Sequence, residues 1–90
     1  MQKSELIKAV AEKSGTDSKI VTKIISQTIS IIQSELVAGN EVSILGFGTF
    51  KVKERDEREG YNPRTGDKMI IPAHKLPVFK AGEILKKAVN

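Results

Sequence analysis

The chain has 90 residues, enough for one domain with a modest core. It contains no cysteine and a single histidine, His74, which excludes a disulfide framework and a thiolate metal site and leaves little for imidazole chemistry. The net charge of +4 is mild and uneven: residues 41–69 carry six basic and six acidic side chains, whereas residues 70–90 carry four lysines against Glu83.

A basic balance favours polyanions, although solvated lysines give the same count. Lys3 is followed by no apolar leader core, and no apolar run approaches a membrane span, so the expected location is the cytoplasm. A lone chain of this length is marginally stable, which makes oligomerisation an ordinary remedy.

The first third reads as helical. In SELIKAVAEKSG, Leu6, Ile7, Val10 and Ala11 recur at helical spacing, with Gln2 or Ser4 to cap the start and Gly15 to stop it. A second helix opens at Asp17, a good N-cap, and runs to Gly39. Isoleucine and threonine are abundant there and favour strands individually, but the periodicity is helical. Lys19, Lys23, Ser26, Gln27, Ser30, Gln33 and Ser34 trace a polar face, and Val21, Ile24, Ile25, Ile29, Ile31, Ile32 and Leu36 a broad apolar one. The short first helix cannot cover that stripe alone; a sheet or a second copy of the chain must.

After Gly39-Asn40 the period changes to two. EVSIL alternates through Val42 and Ile44, GFG turns at Phe47, and TFKVKERDE sets Phe50 and Val52 against Lys51, Lys53 and Arg55. Beyond Val52 the apolar half is replaced by Glu54, Asp56 and Arg58, so the strand begins in a core and then leaves it. The stretch REGYNPRTGDK is a tight turn, and DKMIIPAHKLPVF returns. Pro72 and Pro77 lack ladder donors and belong at edges or bulges. AGEILKKAVN closes the chain as a short helix. The order is α+β: two helices, a three-stranded antiparallel sheet with an overlong hairpin, one helix.

A charged ribbon has little reason to fold onto its own body and is expected to extend as an arm, of a breadth that suits a nucleic-acid groove. Pro63 at its tip is apolar, rigid and without an N–H, as are the wedges that architectural proteins insert between base steps. Asn-Pro-x-Thr-Gly is equally an ordinary turn, with proline second and glycine at positive φ.

The segment GFGTFKVKERDEREGYNPRTGDKMIIPAHKLPVFKAG resembles the bacterial histone-like HU and integration host factor family. The Gly-Phe-Gly-x-Phe turn, Arg55, Arg58, the Gly-x-Asn-Pro-x-Thr-Gly tip and the Ile-Pro-Ala-x-Lys-x-Pro-x-Phe return follow the family's order and spacing. KSELIKAVAEKSG resembles its first helix, so the likeness covers nearly the whole chain.

The resemblance implies one HU-like domain over residues 1–90. A helical dimerisation part would span 1–40, the sheet 41–79 with an arm at about 53–76, and a C-terminal helix 80–90. It also implies an intertwined homodimer, a heterodimer with a paralogue being the alternative, with Ile25, Ile29, Ile32, Leu36, Ile44, Phe47, Phe50 and Phe79 in the shared core. Two arms would embrace the minor groove of double-stranded DNA, each Pro63 wedging at a base step. Lys53, Arg55 and Arg58 would be arm contacts; Tyr61, Asn62, Pro63, Arg64 and Thr65 would lie at the tip; Lys3, Lys75, Lys80 and Lys86 would meet phosphates, positioning without reading sequence. The implied function is a nucleoid-associated protein that bends and compacts DNA with little sequence preference; a site-specific role like that of integration host factor is the alternative.

The sequence also departs from the family. Asp56, Glu57 and Glu59 bring a usually basic arm close to neutral by count, Tyr61 and Glu83 stand where basic residues are common, and Ala81 replaces a frequent proline. The acidic residues either form ion-pair ladders that stiffen the arm, tune it to bent or damaged DNA, or weaken DNA binding; the charge count favours the last. Tyr61 either stacks on a sugar or base or packs on its own ribbon. No enzyme, metal site, cofactor or small-molecule substrate is expected, since His74 lacks partners and the arm carboxylates lie among cations. A protein-clasping module is the remaining rival.

Overall fold

The computed structural model describes all residues, 1–90. The elements run α1 (Lys3–Ser14), α2 (Ser18–Val37), β1 (Val42–Ile44), β2 (Gly48–Arg55), β3 (Arg58–Tyr61), β4 (Lys68–Ile71), β5 (His74–Ala81) and α3 (Glu83–Val89). The chain divides into two compact units, residues Met1–Ser34 and Glu35–Asn90.

In the first unit Asp17 caps α2 as its residue type predicts: its Oδ1 accepts the Lys19 N–H at 2.8 Å and its carbonyl accepts from Val21 at 3.0 Å. The hydroxyls of Thr22 and Thr28 donate to the carbonyls of Ser18 and Ile24, one turn back. A segment rich in strand-forming residues thus satisfies its hydroxyls inside the helix. Val21 is the one buried apolar side chain. Ile24 and Ile31 remain 58% and 61% exposed, so the broad apolar face is largely uncovered within a single chain.

The second unit begins at the end of α2. The Asn40 N–H donates to the Glu35 carbonyl and the Gly39 N–H to that of Leu36, with Gly39 at φ +86°. This is the double closure that a glycine stop permits. The main sheet is antiparallel in the order β1-β2-β5. Val42 faces Phe50, Ile44 faces Gly48, and Phe50 faces Phe79 across the ladders, so these side chains share one face. The Phe79 ring lies 5.2 Å from that of Phe47 and 4.7 Å from that of Phe50. β5 pairs on one side only, which leaves Pro77 on an edge strand as its missing N–H requires.

Two boundaries differ from the sequence reading. The last helix starts at Glu83 rather than residue 80, because Ala81 still pairs with Gly48 and the Gly82 N–H donates to the Phe47 carbonyl at 2.8 Å. The hairpin is not one continuous ladder either: β3 and β4 form a separate two-stranded sheet. Arg55 pairs with His74 and Arg58 with Ile71, so two residues drop out on each strand and the register carries through without a slip. Asp56 and Glu57 thus lie opposite Ala73 and Pro72, and Pro72 has no N–H to give.

Candidate nucleic-acid interface

Alternation along β2 and β5 separates two chemistries. The face opposite the phenylalanines carries Lys51, Lys53 and Arg55 on β2 and Lys80 on β5, with Thr49, Val78, Leu76 and His74 as their cross-strand partners. No carboxylate interrupts these ladder positions. Glu54 and Lys75 form a pair on the other, phenylalanine-bearing face. Of the predicted contacts, the sheet therefore brings Lys53, Arg55 and Lys80 together and sets Lys75 apart from them. Lys51, which is not among the predicted contacts, lies on this same face, as its alternation with Phe50 and Val52 implies.

The detached ribbon β3–β4 also has two faces. Arg58, Gly60, Met69 and Ile71 share one; Glu59, Tyr61, Ile70 and Lys68 share the other. Gly60 is spanned by its neighbours: a Cβ there would lie 3.1 Å from Ile71 Cδ1 and 3.8 Å from Met69 Cγ. Tyr61 is 67% exposed and so is not packed away on its own ribbon.

At the tip, Asn62 Oδ1 accepts the Arg64 N–H at 2.9 Å, and the Gly66 N–H donates to the Asn62 carbonyl at 2.8 Å with Gly66 at φ +73°. The turn thus closes over five residues, one more than a β-turn. Thr65 Oγ1 accepts from the Asp67 N–H at 3.3 Å. Asn62 thus accepts through both its backbone carbonyl and Oδ1, and its backbone N–H donates to the Asp67 carbonyl at 2.9 Å, which leaves the side-chain NH2 group free. These bonds also hold Pro63 and Arg64 exposed at the extreme of the arm.

The ion-pair ladders do not form. The only ion pair closer than 4 Å joins Lys86 to Glu83 at 3.7 Å, within α3. Register brings Glu54 opposite Lys75, but both are long, solvated side chains, for which an exposed pairing gains little. The arm's acidic residues therefore remain uncompensated by contact. In the first unit Lys3 Nζ donates to Ser26 Oγ at 3.2 Å, so Lys3 and Lys86 both have partners within the chain.

A bacterial DNA-binding protein family model matches residues 1–90. The chain belongs to the HU family of bacterial DNA-binding proteins. It is 49% identical to DNA-binding protein HU of Geobacillus stearothermophilus over 90 residues, covering the whole of both chains. It is 46% identical to DNA-binding protein HU 1 of Bacillus subtilis, covering 99% of this chain and 97% of that one. Its structure is similar to Anabaena HU in a cocrystal with DNA, with a TM-score of 0.94 and 39% identity over 99% of this chain and 97% of that chain. Thermotoga maritima HU aligns over both full lengths with a TM-score of 0.72 and 31% identity. The α+β fold expected from the sequence is thus the HU fold. These relatives are named as DNA-binding proteins or HU, the class the sequence favoured over an enzyme. No helix is long and apolar enough to cross a membrane.

Proposed function

We propose that this chain is an architectural DNA-binding protein that acts as an intertwined homodimer in the nucleoid. The observation that carries the reading is the row Lys80, Lys51, Lys53 and Arg55 on one sheet face, leading into an arm whose tip presents Pro63. Lysines and arginines on a sheet face position a phosphate backbone without reading sequence. The arm enters the minor groove, Asn62 and Arg64 supply donors at the tip, and Pro63 wedges between base steps and bends the duplex. Arg58, Tyr61, Thr65 and Lys75 contact DNA along the arm, and Lys3 and Lys86 are freed for phosphates when their present partners let go. A structural likeness of 0.94 to an HU chain crystallised with DNA supports the same docking here.

What one chain leaves uncovered supports the dimer. Phe47 and Phe79 are 44% and 40% exposed although their rings meet at a tilt of 44°, and Ile29 and Ile44 are exposed too. Ile25, Ile32, Leu36 and Phe50 are half-buried. A second copy that covers these side chains completes the core, because exposed apolar area of this kind is removed from water by association.

Recognition is by shape and deformability rather than base sequence, since the minor groove offers a degenerate pattern. Binding and bending of a short duplex, intact and nicked, across a salt series tests the reading. Salt-sensitive binding with bending and a preference for the nick is expected. A sharp motif selected from random DNA would replace sequence tolerance with site specificity, and no binding at low salt would overturn the DNA reading.

A further inference from the structure

His74, the chain's one histidine, stands where β5 begins, beside the break in the arm. It is the cross-strand partner of Arg55 and so lies on the face that carries Lys80, Lys51 and Lys53. Its Nδ1 is 3.0 Å from the Pro72 carbonyl oxygen. That oxygen can only accept, so Nδ1 carries the proton and donates. In the neutral ring the other nitrogen, Nε2, then holds a bare lone pair. A phosphate oxygen offers lone pairs as well, so a neutral His74 has nothing to give it. Adding a proton at Nε2 changes both properties at once: the ring gains a donor and a positive charge while the Pro72 bond is kept.

From these observations we infer that His74 is a proton-controlled phosphate contact, extending the cationic row of the sheet by one position when the pH falls. The inference rests on the DNA-binding reading above. Charged groups of both signs surround the imidazole. Arg55 faces it, Lys53 lies beside it on the same face, and Arg58 lines the same recess. Asp56 and Glu57 line that recess too, while Glu54 and Lys75 border the adjoining side of the arm with opposite charges. None of them makes an ion pair with another that is closer than 4 Å. A bound phosphate adds negative charge beside Nε2, so binding and protonation favour each other and affinity rises as pH falls. In an arm this close to neutral, one further cation on each of two arms is a substantial fraction of the electrostatic attraction.

The test is the affinity of the full chain for a short nicked duplex between pH 5.5 and 8.5 at constant ionic strength, for wild type, His74→Gln and His74→Lys. Wild type is expected to bind about tenfold more tightly at pH 5.5 than at pH 8.5. His74→Gln should be flat and weak, and His74→Lys flat and tight. A wild type that binds with no pH dependence, or a His74→Gln variant that keeps the wild-type dependence, overturns the inference alone. Absence of binding at every pH, in protein that circular dichroism finds folded, overturns the DNA-binding reading and this inference with it.

Discussion

Gly48 sits directly against the ring of Phe79: a Cβ placed on Gly48 would fall 2.5 Å from Phe79 Cζ and 2.5 Å from the Lys80 carbonyl oxygen. One of those neighbours is backbone and cannot swing away. Gly48 is also the buried start of β2, pairing with Ile44 on one side and Ala81 on the other. Gly48→Ala should therefore cost about 3 kcal/mol, the upper part of the range for overpacking. Urea unfolding would measure it, and a loss under about 1 kcal/mol would mean that β5 shifts to make room.

Much of this fold was legible because single residue types decide single steps. Asp17 and Gly39 marked the limits of α2 through a cap and a positive φ. The alternation of Phe50 and Val52 with Lys51 and Lys53 gave the two faces of β2. Other features depend on distances that a sequence does not contain. Pro72 was readable as a residue without a ladder donor, yet its effect, a two-residue gap that keeps register, required the pairing on both sides. The charges near the arm suggested ladders because opposite signs alternate; whether Glu54 and Lys75 touch depends on rotamers, and they do not form an ion pair. The roles expected of Lys3 and Lys86 came from resemblance; the Glu83 partner of Lys86, three residues back on a predicted helix, was readable from spacing, whereas Ser26, 23 residues from Lys3, was not.

Glu59 lies on the same ribbon face as Tyr61 and Lys68, with no cation held against it. Its charge therefore opposes a phosphate backbone without local compensation. Glu59→Lys should tighten DNA binding by about three- to tenfold at moderate salt. It should also steepen the plot of log affinity against log salt by about 1 for each new phosphate contact. Equal affinities for both proteins at low salt would show that this part of the arm stays clear of the backbone.

Ile29 separates a chain that works alone from one that works as a pair. It is 49% exposed in the single chain, so Ile29→Lys should cost a monomer little. In a dimer the same substitution buries an unpaired ammonium and should prevent assembly. The wild-type melting temperature should rise with protein concentration, since each tenfold increase favours the folded dimer by about 1.4 kcal/mol. Sedimentation should then find the wild type as a dimer and the variant dissociated or unfolded. A concentration-independent melting temperature, with Ile29→Lys as stable as wild type, would refute the shared core.

Pro63 is held outward by a turn that does not depend on it. The closing bonds run from Gly66 to the Asn62 carbonyl and from Arg64 to Asn62 Oδ1, and neither uses the proline ring. Pro63→Ala should therefore keep the tip's shape and lose only the rigid apolar wedge. Phosphate contacts along Lys51, Lys53, Arg55 and Lys80 would remain, so binding to an already nicked duplex should weaken about threefold or less. On an intact duplex the wedge must offset the unstacking of a base step, which costs a few kcal/mol. The bend angle measured by fluorescence transfer between the duplex ends should fall sharply there. Bending that survives Pro63→Ala would transfer the deformation to the cationic sheet face, whose lysines can draw the flanking DNA inward by charge neutralisation alone.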